Sequence, residues 1–187
     1  MNVKKYKLKY DYLKLELEDT REKLKKYTLE WNSRFGKYFE GVPSKHEVWV
    51  NEETGEVRSE PPGSEAETKP KSKNYKDLYR KLSLKTHPDH GGNGEDFTEI
   101  KEAYNSDNIL ELVSYADKYN IDYEFIKEDE DYLIESCNKL EEEIKSLQKS
   151  LAWSYFTGDK EVKKRCIDQV KRLTGKPINI KDIIDAL

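Results

Sequence analysis

The chain has 187 residues, 39% of them charged and 35% hydrophobic, and a formal net charge of −4. That is too polar for one compact globule of this length. Yet 13 Tyr, 5 Phe and 3 Trp exceed what a disordered chain carries, so long helices that each bury one stripe fit best. No run of about eighteen apolar residues occurs, which excludes a helical membrane span. Two cysteines, Cys137 and Cys166, are too few for a disulfide framework or a four-thiolate zinc site. The first residues lead straight into charged helical sequence with no apolar signal core, so a reducing, cytoplasmic compartment is expected.

Residues 1–40 predict one long helix. Tyr6, Tyr10, Leu13, Leu17, Thr20, Leu24, Tyr27, Trp31 and Tyr38 fall on alternating steps of three and four, with Arg34 as the charged break. This is a heptad seam of about five repeats. A helix reaching roughly 50 Å is longer than a small domain is wide. It must pair with another helix of the chain or with a second copy, and a homo-oligomer through this helix is one expectation.

Gly41-Val42-Pro43 ends the helix, and residues 41–58 predict a small β-hairpin, with strands Glu47–Val50 and Glu56–Arg58 around a Gly55-containing turn. The segment 59–73, with Pro61, Pro62, Gly63 and Pro70 among Glu and Lys, has the composition of a linker. Helical signals return at Asn74, a candidate N-cap with Asp77 three residues on. Tyr75, Leu78 and Leu82 mark the buried stripe of that helix, which stops at Pro88. Asn93 is a candidate cap for the next helix, carrying Phe97, Ile100, Ala103 and Tyr104. Two short helices joined by a seven-residue loop are expected to pack antiparallel. Ser106 is a candidate cap for a third, with Ile109, Leu110, Leu112, Val113 and Ala116.

The last region, 122–187, predicts a helical hairpin of unequal arms. Ile126, Leu133, Cys137, Leu140, Ile144, Leu147 and Leu151 continue one stripe as far as Phe156. Gly158 breaks it, and Asp159 caps a return helix with Val162, Cys166, Val170 and Leu173. Gly175 and Pro177 close that helix, and Asn179 is a candidate cap for a final turn. The fold class expected from these signals is all-α: long coiled-coil-like helices, a short antiparallel helical module over 74–121 and one minor β-hairpin.

Charge is unevenly spread. Residues 1–40 carry +4, 41–70 carry −4, 71–104 carry +1 and 105–187 carry −5. Within the third block, Lys71, Lys73, Lys76, Arg80, Lys81 and Lys85 face the single acid Asp77 before His87. The run therefore forms a cationic ridge in an acidic protein. It leads directly into His87-Pro88-Asp89 and then Gly91-Gly92. Proline fixes its own φ and holds the residue before it out of the helical region. His87 and Asp89 are thus expected in a stiff loop, where an exposed carboxylate can meet a basic group at reduced ordering cost.

Tyr79-Arg80-Lys81-Leu82 before the His-Pro-Asp tripeptide and Ile100-Lys101-Glu102-Ala103-Tyr104 after it, with the glycine pair between, resemble the J domain of DnaJ-type co-chaperones. The glycine pair is most similar to J domains encoded by DNA viruses, including the large tumour antigens of polyomaviruses. The resemblance covers about residues 74–105. It implies a partner, the seventy-kilodalton heat-shock (DnaK-type) chaperone, whose ATPase would be stimulated by His87, Pro88 and Asp89. Lys76, Tyr79, Arg80, Lys81 and Lys85 would form the docking face. It also implies no catalytic residue and no cofactor in this chain, with the flanking helices left to bind an unknown client. A standard J domain opens with a helix bearing a Tyr-x-x-Leu-Gly signature. Here that place falls in 59–73, so the first helix is absent or supplied by the N-terminal helix.

Three competing readings are weaker. A coiled-coil assembly protein with a degenerate J-like module is the principal alternative. Nucleic-acid binding through Lys71–Lys85 is disfavoured by the acidic remainder and the lack of interleaved aromatics. A metal site at His87 and His90 lacks a third ligand at a recognisable spacing.

Overall fold

The computed structural model describes residues 2–41, 49–50, 57–58 and 70–178. The fold is all-α. Helix α1 spans Val3–Phe39, as the unbroken seam predicts. Strands β1 (Trp49–Val50) and β2 (Val57–Arg58) pair antiparallel, Trp49 opposite Arg58. The turn expected between them, most of 59–73 and the final turn expected from Asn179 lie outside the described residues. Then come α2 (Lys73–Thr86), α3 (Gly94–Asn105), α4 (Ile109–Tyr119), α5 (Glu130–Gln148), α6 (Leu151–Thr157) and α7 (Lys160–Thr174). Among the described residues no helix is long and apolar enough to cross a membrane.

The chain divides into two compact units, Met1–Glu22 with Lys69–Gln148, and Lys23–Thr68 with Lys149–Leu187. The boundaries expected at 40, 58, 73 and 121 are therefore displaced. Helix α1 serves both units, one half of its seam in each. The expected hairpin over 122–187 is also corrected. Leu133, Cys137 and Ile144 of α5 are buried in the first core, whereas α6 and α7 build the second. The stripe from 126 to 156 is broken at Ser150, whose hydroxyl caps α6 by accepting the Trp153 amide hydrogen bond at 3.2 Å.

In the first unit, α2, α3 and α4 bury Tyr75, Leu78, Leu82, Ile100, Ala103 and the apolar residues of α4 together with Tyr10, Leu13 and Leu17 of α1. The first-unit part of the α1 seam is thus filled by the chain's own helices. Polar pairs orient α1 on both flanks. Tyr10 Oη donates to Glu111 of α4 at 2.9 Å, and Asn108 donates to the same phenol at 2.6 Å. Toward α5, Tyr6 Oη donates to Glu130 at 2.6 Å and Lys9 pairs with Glu141 at 2.7 Å. A solvent-facing pair such as Lys9 with Glu141 contributes little energy, and burial of the seam carries the stability. Burial also pushes the Tyr10 and Tyr75 phenols well up from the ordinary tyrosine range.

Two buried carboxylates fasten the helices that carry the loop. Asp129 lies in the turn before α5 and accepts hydrogen bonds from Asn74 Nδ2 and the Ile126 amide, both at 2.9 Å. Its burial opposes ionisation, but these bonds and the Ser72 hydroxyl outweigh that and hold the carboxyl below its ordinary value. Asp96 of α3 accepts from Lys118 at 2.6 Å and from Tyr119 at 2.5 Å, both of α4. The Lys118 hydrogen bond lowers its carboxyl most, with Tyr119 adding to it.

Because both folded pKa values are depressed, the unfolded chain binds the more protons in acid. Their stabilisation is complete above the ordinary carboxylate pKa of about 4 and is lost as pH falls through the folded values. The melting temperature is expected to fall steeply below about pH 4. Asp129→Asn should flatten that fall and lower the neutral-pH value by about 5 °C, measured by circular dichroism melts between pH 7 and pH 3.

The second unit is an aromatic cluster. Phe35 of α1 has no exposed surface and lies 4.2 Å from Trp31 and 5.3 Å from Tyr155 between ring centroids. Tyr27 stacks on Phe156 at 5.2 Å, and the Arg34 guanidinium lies 5.3 Å from the centroid of that ring. Cys166, Ile167 and Val170 of α7 complete the core. The caps expected at Gly158, Asp159 and Gly175 are present. Cys137 and Cys166 are buried free thiols, and burial raises both from the ordinary thiol pKa.

Candidate functional site: the His87-Pro88-Asp89 loop and the outer face of α2

Helix α2 is capped two residues earlier than the sequence suggests. Ser72, not Asn74, is the N-cap, its hydroxyl accepting the Tyr75 amide bond at 3.2 Å. Asn74 is diverted because its side chain is spent on Asp129. Lys71, counted in the basic run, is also diverted. It is nearly buried, paired with Asp107 at 2.5 Å and set over the Tyr104 ring at 4.7 Å. The last residues of the expected linker are therefore structural, down to Pro70, whose carbonyl accepts from Tyr132 Oη at 2.7 Å.

Helices α2 and α3 run antiparallel. Tyr79 stacks on Tyr104 with centroids 3.9 Å apart, and at the other end His87 sets its ring edge to face with Phe97 at 4.9 Å. Between them the seven residues 87–93 form a closed turn. His87 ends α2, its amide donating to Ser83 O at 3.0 Å. Pro88, Asp89 and His90 make a single 3-10 turn. His90 and Gly92 both donate to His87 O, at 3.0 and 3.1 Å, and Gly91 donates to Pro88 O at 2.9 Å. The Asp89 amide donates to His87 Nδ1 at 3.1 Å. Gly91 takes φ +75°, and Gly92 lies so close to Thr86 that a Cβ there would overlap its carbonyl. Thr86 is buried and its hydroxyl donates back to Leu82 O at 2.9 Å. Asn93 caps α3 as expected, accepting the Glu95 amide bond at 2.9 Å.

This backbone fixes the tip while leaving its side chains open. The Asp89 side chain is 84% exposed, and its carboxylate lies 3.7 Å from His87 Nδ1, whose own side chain is 39% exposed. Lys76 and Arg80 share one face of α2 four residues apart and are exposed, as is Lys85. Among the described residues these three make no ion pair. The other two residues expected on this face are engaged internally. Tyr79 is half-buried against Tyr104, and Lys81 donates to the Asp122 carbonyl at 2.9 Å.

That contact closes one side of a groove of about 530 Å³, with Arg80, Lys81 and the exposed Leu84 on the α2 wall and Asp122, Tyr123 and Glu124 on the other. The 122–124 wall could not be read from the sequence, where it was only the start of the last region. Its lone local signal is the αL cap at Asn120, φ 53°, that turns the chain back along α2. The cap of α4 is Asn108, which accepts the Glu111 amide bond at 3.3 Å, while Ser106 ends α3. Among the described residues no cluster of ligating side chains could hold a metal. Comparison with protein-family models, curated proteins and solved structures finds no match to this chain.

Proposed function

We propose that this chain is a J-domain-type co-chaperone that recruits a DnaK-type heat-shock chaperone and stimulates its ATPase through His87, Pro88 and Asp89. The observation that carries the reading is the exposed Asp89 carboxylate on a turn closed by its own backbone bonds. A carboxylate held this way meets a basic group on a partner without first ordering a loop. The neighbouring Lys76, Arg80 and Lys85 add a cationic ridge that steers an acidic surface toward the tip. The N-terminal half of α1, packed in one core with α2–α5, supplies the support that a J domain's own first helix would give. Unknown clients would be chosen by the segments outside 70–121.

Binding of the full chain to a purified DnaK-type chaperone in ATP tests this reading. Asp89→Asn is expected to weaken that binding by about tenfold or more, with unchanged helicity. Binding should also weaken as salt rises. Equal binding by wild type and Asp89→Asn contradicts the proposal. The second reading, an assembly protein whose J-like module is only structural, is favoured by the 37-residue length of α1. It requires that neither form bind the chaperone.

A further inference from the structure

Helix α1 carries a second apolar stripe. Leu8, Tyr12 and Leu15 recur at i, i+4 and i+7 and are 62%, 64% and 67% exposed. They lie on the opposite side of the helix from Tyr10, Leu13 and Leu17, which fill the first unit's core. The flanks between the two stripes are taken by α4, through Lys7 and Lys14, and by α5, through Lys9. Neither helix covers the outer stripe. A single exposed leucine needs no explanation, but three large apolar side chains aligned on one helix face form a patch of the kind that marks an interface.

The charges at its two ends are opposite. Exposed Lys4 and Lys5 precede the stripe and exposed Glu18 and Glu22 follow it. A second α1 laid parallel would set like against like. Laid antiparallel, with the two-fold axis between Asp11 and Tyr12, it sets Leu8 against Leu15 and brings Lys4 beside Glu18 on the same flank in both halves of the contact. We propose that this face joins two copies of the chain in an antiparallel, two-fold dimer, using the side of α1 opposite the seam first expected to do so. An isologous contact of this kind closes at two copies. About two helix turns of apolar contact make it smaller than a standard stable interface, so the dimer is reversible and concentration-dependent. The inference does not depend on the co-chaperone reading, since none of these residues belongs to the loop or to α2.

Sedimentation velocity of the full chain over a concentration series tests it. Wild type is expected to shift from monomer to dimer as concentration rises. Leu8→Lys with Leu15→Lys should weaken the dissociation constant by about a hundredfold without loss of helicity, both positions being exposed. Lys4→Glu should weaken it by about tenfold, and adding Glu18→Lys should restore it. A wild type that stays monomeric throughout, leaving the stripe to some other partner, overturns the proposal. So does a dimer indifferent to the two lysines, or one that the paired charge reversal fails to restore.

Discussion

Alanine at Gly92 is expected to destabilise the chain by about 3 kcal/mol, although the added group is one methyl on a loop. The methyl would overlap the carbonyl carbon and oxygen of Thr86, and these are backbone atoms of a helix end that cannot rotate away. Thr86 is itself buried and bonded to Leu82, so relief requires the turn to open and the Gly92 bond to His87 O to break. Gly91 supplies the control. It needs φ +75° but has open space around it, so Gly91→Ala should cost only about 1 kcal/mol. Urea unfolding of both variants separates crowding from backbone conformation, and equal losses would contradict this account of the turn.

Phe35→Ala carries the other large effect, a loss of about 3–5 kcal/mol. The ring is fully buried between Trp31 and Tyr155, and edge-to-face pairs add to the burial term. Its neighbour Arg34 is half-buried with its guanidinium over Phe156, and Arg34→Ala should cost about 1 kcal/mol or less. Thermal melts followed by near-ultraviolet circular dichroism, which reports the tryptophan environment, distinguish the two.

These residues show how far the pattern of the chain could be read. The three-four spacing from Tyr6 to Tyr38 fixes where α1 runs and which face is apolar, since local backbone geometry sets side-chain direction. It assigns Arg34 as a break and puts Phe35, four residues after Trp31, in an aromatic-rich end with Trp31, Tyr38 and Phe39 that is expected to pack against something bulky. The partner of that end, Tyr155, is what no local spacing encodes. Likewise the spacing of Pro88, Gly91, Gly92 and Asn93 makes the loop and its cap legible, because turn chemistry is local. What could not be read is which helix each stripe meets. Asn74 looks like a cap until Asp129, 55 residues on, is seen to hold it. Lys71 looks like surface charge until Asp107 is placed beside it. Lys81 belongs to the basic run by sequence, yet its ammonium is tied to Asp122. The tip and most of the ridge were thus visible beforehand. The partners that engage Lys71, Tyr79 and Lys81 were not.

That division makes the candidate surface specific: Asp89, with Lys76, Arg80 and Lys85, rather than the whole cationic run. The direct measurement is single-turnover ATP hydrolysis by a purified DnaK-type chaperone, titrated with the full chain at low salt. The account expects an acceleration that saturates with wild type, is retained by Lys81→Ala and is lost with Asp89→Asn while helicity is unchanged. No acceleration by wild type, or the same acceleration by Asp89→Asn, would contradict it.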